Sequence, residues 1–526
     1  MKRFNVTGTC FPTRHYMVDI SDRVVKIEKM VERGDFFCIN AGRQYGKTTT
    51  LNALKDALAA NYEVYALSFE GLENACYETE TSLAYAMLEL MEMAALRTDN
   101  HVSDAVRSIV AKAVQVNAES RSISLNRMTM LIAQMNNAAS KPLILIIDEV
   151  DQASNYDSFI RMLGLLRKMY LERDSLPTFQ SVILAGVYDI KNLKLKIRPD
   201  AEHSYNSPWN IAAKFDIDLA LPADGIEGMI AEYKQDHAGV PEVDCMDAYE
   251  MAQRLFDYTS GYPFLVSRLC QILDEKQLRW DRAGFLEAEK ILLNERNTLF
   301  DDMIKKLDDF PELSKTLQAM LYEGESFTFN PDNKFFNLAK MFGYVRPNEN
   351  GKAVISNRIF ETRLYNYFSS LEETSGIYKS GSIDKNQFIK DGQIDMEHLI
   401  SRFAVHFNDI YGKNDDAFVE KMGRKLFLLY LKPIINGIGN YYIEAQTRDE
   451  TRTDIVIDYL GQQYIIELKI WRGKAYNERG EEQIAGYLDY FHAKKGYLVS
   501  FCFNKSKSQQ TQTIQVGDKT VFEAVV

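Results

Sequence analysis

The sequence predicts an α/β protein of several domains: a parallel sheet with helices on both faces in the N-terminal part, and a smaller α/β unit at the C-terminal end. Three observations predict it. A short apolar run at 36–40 leads directly into a glycine-bearing loop and a helical pattern, AGRQYGKTTTLNALKDAL. A second apolar run, Leu143 to Ile147, ends on two acids, Asp148 and Glu149, as a central parallel strand does at its carboxyl end. From 399 onward the pattern reads helix, three strands, helix, strand.

The bulk properties bound this reading. A chain of 526 residues is too long for one hydrophobic core, and the length prior gives roughly three or four folded units. With 46% hydrophobic and 12% aromatic residues there is ample material to bury, so no extended disorder is expected. A net charge of -12 argues against a protein that coats nucleic acid indiscriminately, yet leaves room for a local basic groove. The six cysteines show no C-x-x-C spacing, so neither a zinc cluster nor a disulfide framework is signalled. The opening MKRFNVTGTCFPTRHY lacks the apolar core of a signal peptide. No stretch approaches the roughly 18 apolar residues of a membrane span, so a cytoplasmic protein without a membrane partner is expected.

The loop is the first candidate site. Ala41 to Thr48 fit [AG]-x-x-x-x-G-K-[ST], with Ala41 where the strict pattern has glycine. Gly46 lets backbone amides approach phosphates, Lys47 neutralises the terminal phosphates, and the Thr48 hydroxyl can ligate Mg2+. Ala41, Gly42, Arg43, Gln44, Tyr45, Gly46, Lys47, Thr48 and Thr49 are the expected ATP-contacting positions. In PLILIIDEVDQ, Asp148 would hold Mg2+ and Glu149 would polarise the attacking water, since phosphoryl transfer needs positioning and charge compensation. A strand followed by a helix-capping Asp is the plain alternative; the order and spacing of the two motifs together weigh against it. Two more strands are expected at 62–69 and 179–189, the second ending near Tyr188 and Asp189, sensor candidates. Helical patterns at 79–96, 103–116 and 124–138 carry apolar stripes for core or lid packing.

Through GTCFPTRHYMVD, NAGRQYGKTTTL, LIIDEVD and SPWNIAAKFDIDL, roughly residues 1–365 resemble bacterial AAA-like ATPases related to the STAND and archaeal-ATPase lineages. The resemblance implies a P-loop ATPase core at 1–225 and a helical lid at 226–298. TSGYPFLVSRLC at 259–270 is similar to the lid's sensor-2 helix, which makes Arg268 a γ-phosphate candidate beside the alternative of a salt-bridged surface arginine. The segment with Pro12, His15 and Tyr16 is similar to the stretch that packs near the adenine. Arg198 is a candidate trans-acting arginine. Residues 299–368 resemble a winged-helix unit of related ATPases, with YVRPNENGKAVIS as the wing carrying Arg346 and Lys352; Glu349 between them favours packing or a partner over phosphate binding. Residues 369–398 lose the hydrophobic period among Gly, Ser, Asp and Lys and read as a linker.

The C-terminal unit, 399–526, carries the second candidate site. Asp454 opens one strand, and Glu467 and Lys469 alternate on one face of the next. Carboxylates on adjacent strands are the hard oxygen ligands that Mg2+ prefers, and a lysine beside them can stabilise charge on a phosphate. A same-face salt bridge is the alternative, worth about 0–1 kcal/mol at a surface. Asp454, the later Glu467-Leu468-Lys469 and, on the following helix, Gln483 and Tyr487 resemble the PD-(D/E)XK nuclease superfamily. The resemblance implies Asp454, Glu467, Lys469 and Gln483 as catalytic residues, with Mg2+, or Mn2+ in its place, on Asp454 and Glu467. Glu420 on the leading helix matches a further acidic position, beside the reading of a solvated glutamate. Arg424, Lys425, Lys432, Arg472, Lys474, Lys494 and Lys495 supply basic groups for backbone contacts with DNA.

The resemblances imply an ATP-regulated, Mg2+-dependent DNA nuclease of bacterial phage defence or mobile-element control. A nucleotide-switched binding or signalling protein that does not cut is the alternative. A homo-oligomer and a protein trigger stay open as partners.

Overall fold

The computed structural model describes residues 2–97, 102–187, 208–322, 327–371, 379–382, 387–390, 392–411, 420–435, 439–446, 452–459, 462–470, 483–489, 491, 493–502 and 510–526. The chain divides into two units. The first holds Met1–Met229, Gly261–Ser267 and Met341–Gly343; the second holds Ile230–Ser260, Arg268–Lys340 and Tyr344–Val526.

In the first unit, β1 (Arg3–Phe4) and β2 (His15–Tyr16) form a short parallel pair. The main sheet contains β3 (Phe37–Asn40), β4 (Glu63–Ser68), β5 (Leu143–Asp148) and β6 (Ser181–Gly186) in the order β3-β6-β5-β4, every neighbour parallel. Parallel strands need crossovers, and helices supply them: α1 (Ser21–Glu32), α2 (Lys47–Leu58), α3 (Glu80–Ala95), α4 (Asp104–Asn117), α5 (Leu125–Ala138) and α6 (Asp157–Leu171). Period two splits each strand between two cores. Phe37, Ile39, Ile144, Ile146, Ile183 and Ala185 pack with α1 and α2. Cys38, Leu143, Leu145, Ile147, Val182 and Leu184 pack with α3 to α6 on the other face. The continuous apolar reading of LILII follows from this burial on both sides. β6 lies between the loop strand β3 and the acid-bearing strand β5, so the carboxyl ends of all three meet at one edge.

The second unit contains α7 (Ala248–Thr259), most of α8 (Pro263–Glu275), α9 (Arg282–Asn294), α10 (Thr298–Asp309), α11 (Pro311–Tyr322) and α12 (Lys334–Met341). A small antiparallel hairpin follows, β7 (Val345–Pro347) with β8 (Ala353–Ile355), and then α13 (Arg358–Leu371). Asn348 accepts from the backbone N–H groups of Asn350 and Lys352 and closes the hairpin turn. The segment expected to be a wing thus has a hairpin's geometry. Its two basic residues are engaged locally: Arg346 Nε donates to Ser356 O at 3.3 Å and Lys352 Nζ to Thr328 Oγ1 at 3.2 Å.

The stretch expected to be a linker is partly built into the unit. α13 runs on to Leu371, and β9 (Ile389–Lys390) pairs antiparallel with β10 (Gln393–Ile394). Phe388 and Ile394 are buried, and Gly381 lies so close to the Tyr430 carbonyl that a Cβ would sit 2.1 Å from it. Polar composition concealed two apolar anchors and one close approach.

A six-stranded sheet follows α14 (Met396–Tyr411) and α15 (Glu420–Ile435). Its strands are β11 (Gly439–Gln446), β12 (Arg452–Tyr459), β13 (Gln462–Ile470), β14 (Lys495–Phe501), β15 (Gln510–Val516) and β16 (Lys519–Val525), in the order β11-β12-β13-β14-β16-β15. β11, β12 and β13 run as an antiparallel meander, and β13, β14 and β16 are parallel. A helix at 483–489 lies between β13 and β14 in the chain, as expected from the sequence. It covers one face, with Ile484 and Leu488 against Gly496, while Phe501 on the other face meets Gly423 of α15.

Candidate functional site

The apolar strand β3 ends at Asn40, and the loop from Ala41 feeds straight into α2, whose N-cap is Gly46. Gly46 has φ +81° and Gln44 φ +54°. The left-handed conformation is free to glycine and strained for glutamine by about 1–3 kcal/mol. Loops of this kind turn successive N–H groups into an anion-binding concavity, here at a helix N-terminus.

Lys47 is buried, and its Nζ donates to the carbonyls of Ala41 and Gly42, each at 3.0 Å. Burial lowers its pKa, and the carboxylates of Glu149, Asp151 and Asp148 oppose that shift. One hundred residues away in sequence, Asp148 Oδ2 accepts from Thr48 Oγ1 at 2.8 Å, and its Oδ1 accepts from the Glu149 N–H at 2.9 Å. A hydroxyl and a carboxylate held together at the end of a loop that suits phosphates fit Mg2+, which takes oxygen ligands and substrate phosphates. Glu149 adopts φ +53°, a strained backbone for a non-glycine residue. Burial pushes its carboxyl pKa up, and the neighbouring Asp148 adds to the shift. A carboxyl so tuned suits a general base.

The structure brings in residues that motif reading missed. Asp151 accepts from the backbone N–H of Val187 and packs against Gly186, where a Cβ would meet its carboxylate at 2.9 Å. It ties the acid-bearing turn to the end of β6; its signal was the third acid in DEVD. Tyr262 donates its hydroxyl to the Arg43 carbonyl and meets Tyr45 edge-on at 4.7 Å. A Cβ on Gly42 would sit 2.8 Å from the Phe342 carbonyl, so Gly42 is required by close approach. Thr49 Oγ1 accepts from the Cys10 N–H at 3.2 Å, securing the N-terminal segment to α2.

The remaining expectations for this unit fall differently. Tyr16 is 1% exposed, its ring 5.1 Å from that of Phe4, and His15 Nδ1 accepts from the Phe11 N–H. Tyr188, Asp189 and Arg198 lie outside the described residues. Arg268, in the second unit, has its guanidinium against Glu295, Glu275 and Gln271, which is the salt-bridged alternative of the sequence reading.

In the C-terminal sheet, Glu467 is 1% exposed and its Oε1 lies 2.8 Å from Lys469 Nζ, both on one face of β13. The β12–β13 register runs to Ile455↔Ile466, so Asp454 and Glu467 each stand one residue beyond that pair. The backbone of Asp454 belongs to β12 and that of Glu420 opens α15; their side chains, like all of Arg472 and Lys474, lie outside the described residues. Gln483 Nε2 donates to the Tyr487 hydroxyl at 2.6 Å, the intrahelical partner expected at that spacing. Among the described residues no three His, Cys, Asp or Glu side chains converge as a metal site. Of the basic residues assigned to this unit, Lys495 pairs with Glu397 and Lys432 donates to the Asn366 carbonyl.

A parallel sheet, a phosphate-type loop and an acid strand bonded through Thr48 and Asp148 define a P-loop ATPase-like protein. The chain belongs to the AAA-like domain family, whose model matches residues 14–370. Among solved structures it is similar to the Walker-type ATPase PABY2304 of Pyrococcus abyssi, at 13% identity and TM-score 0.48, covering 69% of this chain and 99% of that one. It is also similar to the Aeropyrum pernix ORC1 protein in complex with DNA, at 12% identity and TM-score 0.30, covering 68% and 94%. The Aeropyrum pernix ORC2 protein in ADPNP-ADP complexes matches at 11% identity and TM-score 0.31, covering 69% and 96%. No curated protein matches. Among the described residues, no helix is long and apolar enough to cross a membrane.

Proposed function

We propose that the protein binds and hydrolyses ATP with Mg2+ at the Lys47–Thr48–Asp148–Glu149 site and uses nucleotide state to regulate a Mg2+-dependent nuclease in its C-terminal sheet. The bond between Thr48 and Asp148, joining loop and acid strand across one hundred positions, carries the first half. Lys47 neutralises the terminal phosphates, the loop amides hold them, and Glu149 takes the proton of the attacking water. Magnesium, when bound, offsets the charge that develops between the phosphates.

The second half rests on the resemblance to PD-(D/E)XK nucleases and on Glu467, a carboxylate buried one register step beyond the β12–β13 pairing that also precedes Asp454. In that reading Asp454 and Glu467 hold the metal, with Glu420 as a further ligand; Lys469 stabilises charge on the scissile phosphate and Gln483 supports it. The setting of phage defence or mobile-element control comes from the pairing of the two resemblances, ATPase and nuclease; the domain limits given above come from those resemblances and from the loss of hydrophobic period at 369–398. One observation favours a second reading, a nucleotide-switched binder that does not cut: Glu467 is already paired with Lys469.

Linear, circular and single-stranded DNA incubated with the full-length protein, with and without Mg2+ and ATP, separates the two. Cutting that needs Mg2+, disappears in Asp454→Ala and changes in Lys47→Ala supports the coupled enzyme. ATP turnover without cutting of any substrate sinks the nuclease half.

A further inference from the structure

Two short stretches from beyond Met229 belong to the first unit, Gly261–Ser267 and Met341–Gly343. Both lie against the phosphate loop. Pro263, which opens α8, faces Gly46, whose Cβ position is 3.7 Å from the proline Cγ. The Phe342 carbonyl backs Gly42, as described above. Tyr262 is buried among glycines that make room for it: a Cβ on Gly343 would lie 3.6 Å from its ring, and one on Gly42 3.4 Å from its hydroxyl. Gly261 fixes where this side chain starts. It has φ +71°, a Cβ there would sit 2.1 Å from the Leu221 carbonyl, and its own carbonyl accepts from the Leu221 N–H at 2.8 Å.

A buried phenol needs a partner for its O–H, and Tyr262 finds one in the Arg43 carbonyl. The choice of partner has a consequence for the loop. The Arg43–Gln44 peptide is trans, and across a trans peptide the N–H points opposite to the carbonyl. Drawing the Arg43 carbonyl toward Tyr262 therefore turns the Gln44 N–H away from the tyrosine. Gln44 has φ +54°, a conformation that persists where the surroundings over-determine it. Three successive loop carbonyls are thus held by side chains: those of Ala41 and Gly42 by Lys47, and that of Arg43 by Tyr262.

We propose that Tyr262 is a positioning residue of the ATP site: its hydroxyl holds the Arg43–Gln44 peptide so that the Gln44 N–H faces the phosphates, while Lys47 exchanges the Ala41 and Gly42 carbonyls for the terminal phosphates. The proposal rests on the ATP reading and adds to it a support from outside the loop and acid motifs. Tyr262 acts through the loop backbone and not on the reacting atoms. It serves bound substrate and transition state alike, so its loss falls on KM and not on kcat.

The test is steady-state phosphate release and titration with a fluorescent ATP analogue, on the full-length protein with Mg2+, comparing Tyr262→Phe with Tyr365→Phe. Tyr365 is a matched control: it is buried and donates its hydroxyl to a backbone carbonyl, that of Leu321, within the second unit. Both changes remove one hydroxyl and keep the ring, and the titrations run well below both melting temperatures. Tyr262→Phe should raise KM and Kd about three- to tenfold, the range of one hydrogen bond, with kcat within about twofold of wild type. Tyr365→Phe should lower the melting temperature and leave KM and Kd as they are. Unchanged KM and Kd in Tyr262→Phe, or the same shift in both variants, overturns the positioning role and leaves the ATP reading intact. Wild-type protein that neither binds the analogue nor releases phosphate overturns both.

Discussion

The two candidate sites are built in opposite ways. At the phosphate loop, functional side chains are held by partners far away in sequence: Thr48 by Asp148, Asp151 by Val187, the Arg43 carbonyl by Tyr262. In the C-terminal sheet, Glu467 is held by Lys469, two residues along the same strand, and Gln483 by Tyr487, one helical turn away. Long-range bonds of the first kind cost loop-closure entropy and call for the whole fold to be in place. A same-strand ion pair can form in any sheet that buries that face. The geometry of the first site argues for function by itself, whereas the second needs a functional test to separate a metal site from a structural pair.

The largest expected effect lies at the loop site. Glu149→Gln removes the proton acceptor while keeping shape, so ATP turnover should fall about 10²- to 10⁴-fold with nucleotide binding retained. Phosphate release and a fluorescent nucleotide titration read the two quantities. Turnover within a few fold of wild type would mean that Glu149, despite its strained backbone and raised pKa, is not the base.

At the second site the discriminating change is Lys469→Ala, which removes the ammonium 2.8 Å from the buried Glu467 carboxylate. Breaking a buried pair by removing one partner costs about 3–5 kcal/mol, readable by chemical denaturation of the full-length protein. If Glu467 is a metal ligand, added Mg2+ or Mn2+ should restore part of that loss, because a ligand bound only to the folded state stabilises it by mass action. No metal response, combined with little destabilisation in a Glu467→Leu/Lys469→Leu double variant, would assign the pair to structure alone.

The contrast also explains what the sequence could disclose. AGRQYGKTTT and LIIDEVD are contiguous, and their flanking apolar runs fix strand and helix, so the loop, the two faces of the sheet and the Thr48–Asp148 meeting were legible. The second half of that site was not: Tyr262 and Phe342 reach the loop through tertiary contacts that leave no local pattern. β15, QTQTIQV, is a largely exposed edge strand without apolar alternation, and β16 reaches its place between β15 and β14 through one antiparallel and one parallel pairing, so the final hairpin stayed unread. The stretch before α14 looked like linker because Phe388 and Ile394 are isolated among polar residues, although both are buried. For Arg268 the sequence left two readings, a γ-phosphate contact and a salt-bridged arginine, and the pairs with Glu295 and Glu275 accord with the second.

A smaller effect tests whether the loop site depends on its long-range supports. Gly42→Ala would force a methyl against the Phe342 carbonyl at 2.8 Å. The overpacking should cost about 1–3 kcal/mol and weaken nucleotide binding, whereas Gly164→Ala, with no atom near its Cβ position, should change neither. Equal behaviour of the two variants in thermal melts and nucleotide titrations would show that Phe342 yields without consequence.

The smallest effect is the pH behaviour of Glu149. Burial and Asp148 raise its folded-state pKa, so the folded protein favours the protonated form, and ionisation on the alkaline side works against folding. Glu149→Gln should therefore raise the melting temperature slightly at neutral pH and leave it nearly unchanged well below the ordinary glutamate range, where both states are protonated. The wild-type turnover profile should show an acid limb displaced upward from that same range, because the base must be ionised to act. Loss of activity and gain of stability in one variant is the trade-off expected where a site is strained for chemistry. A residue strained merely by packing would give the stability gain without the displaced limb, and that pairing of results would move the proton-accepting role away from Glu149.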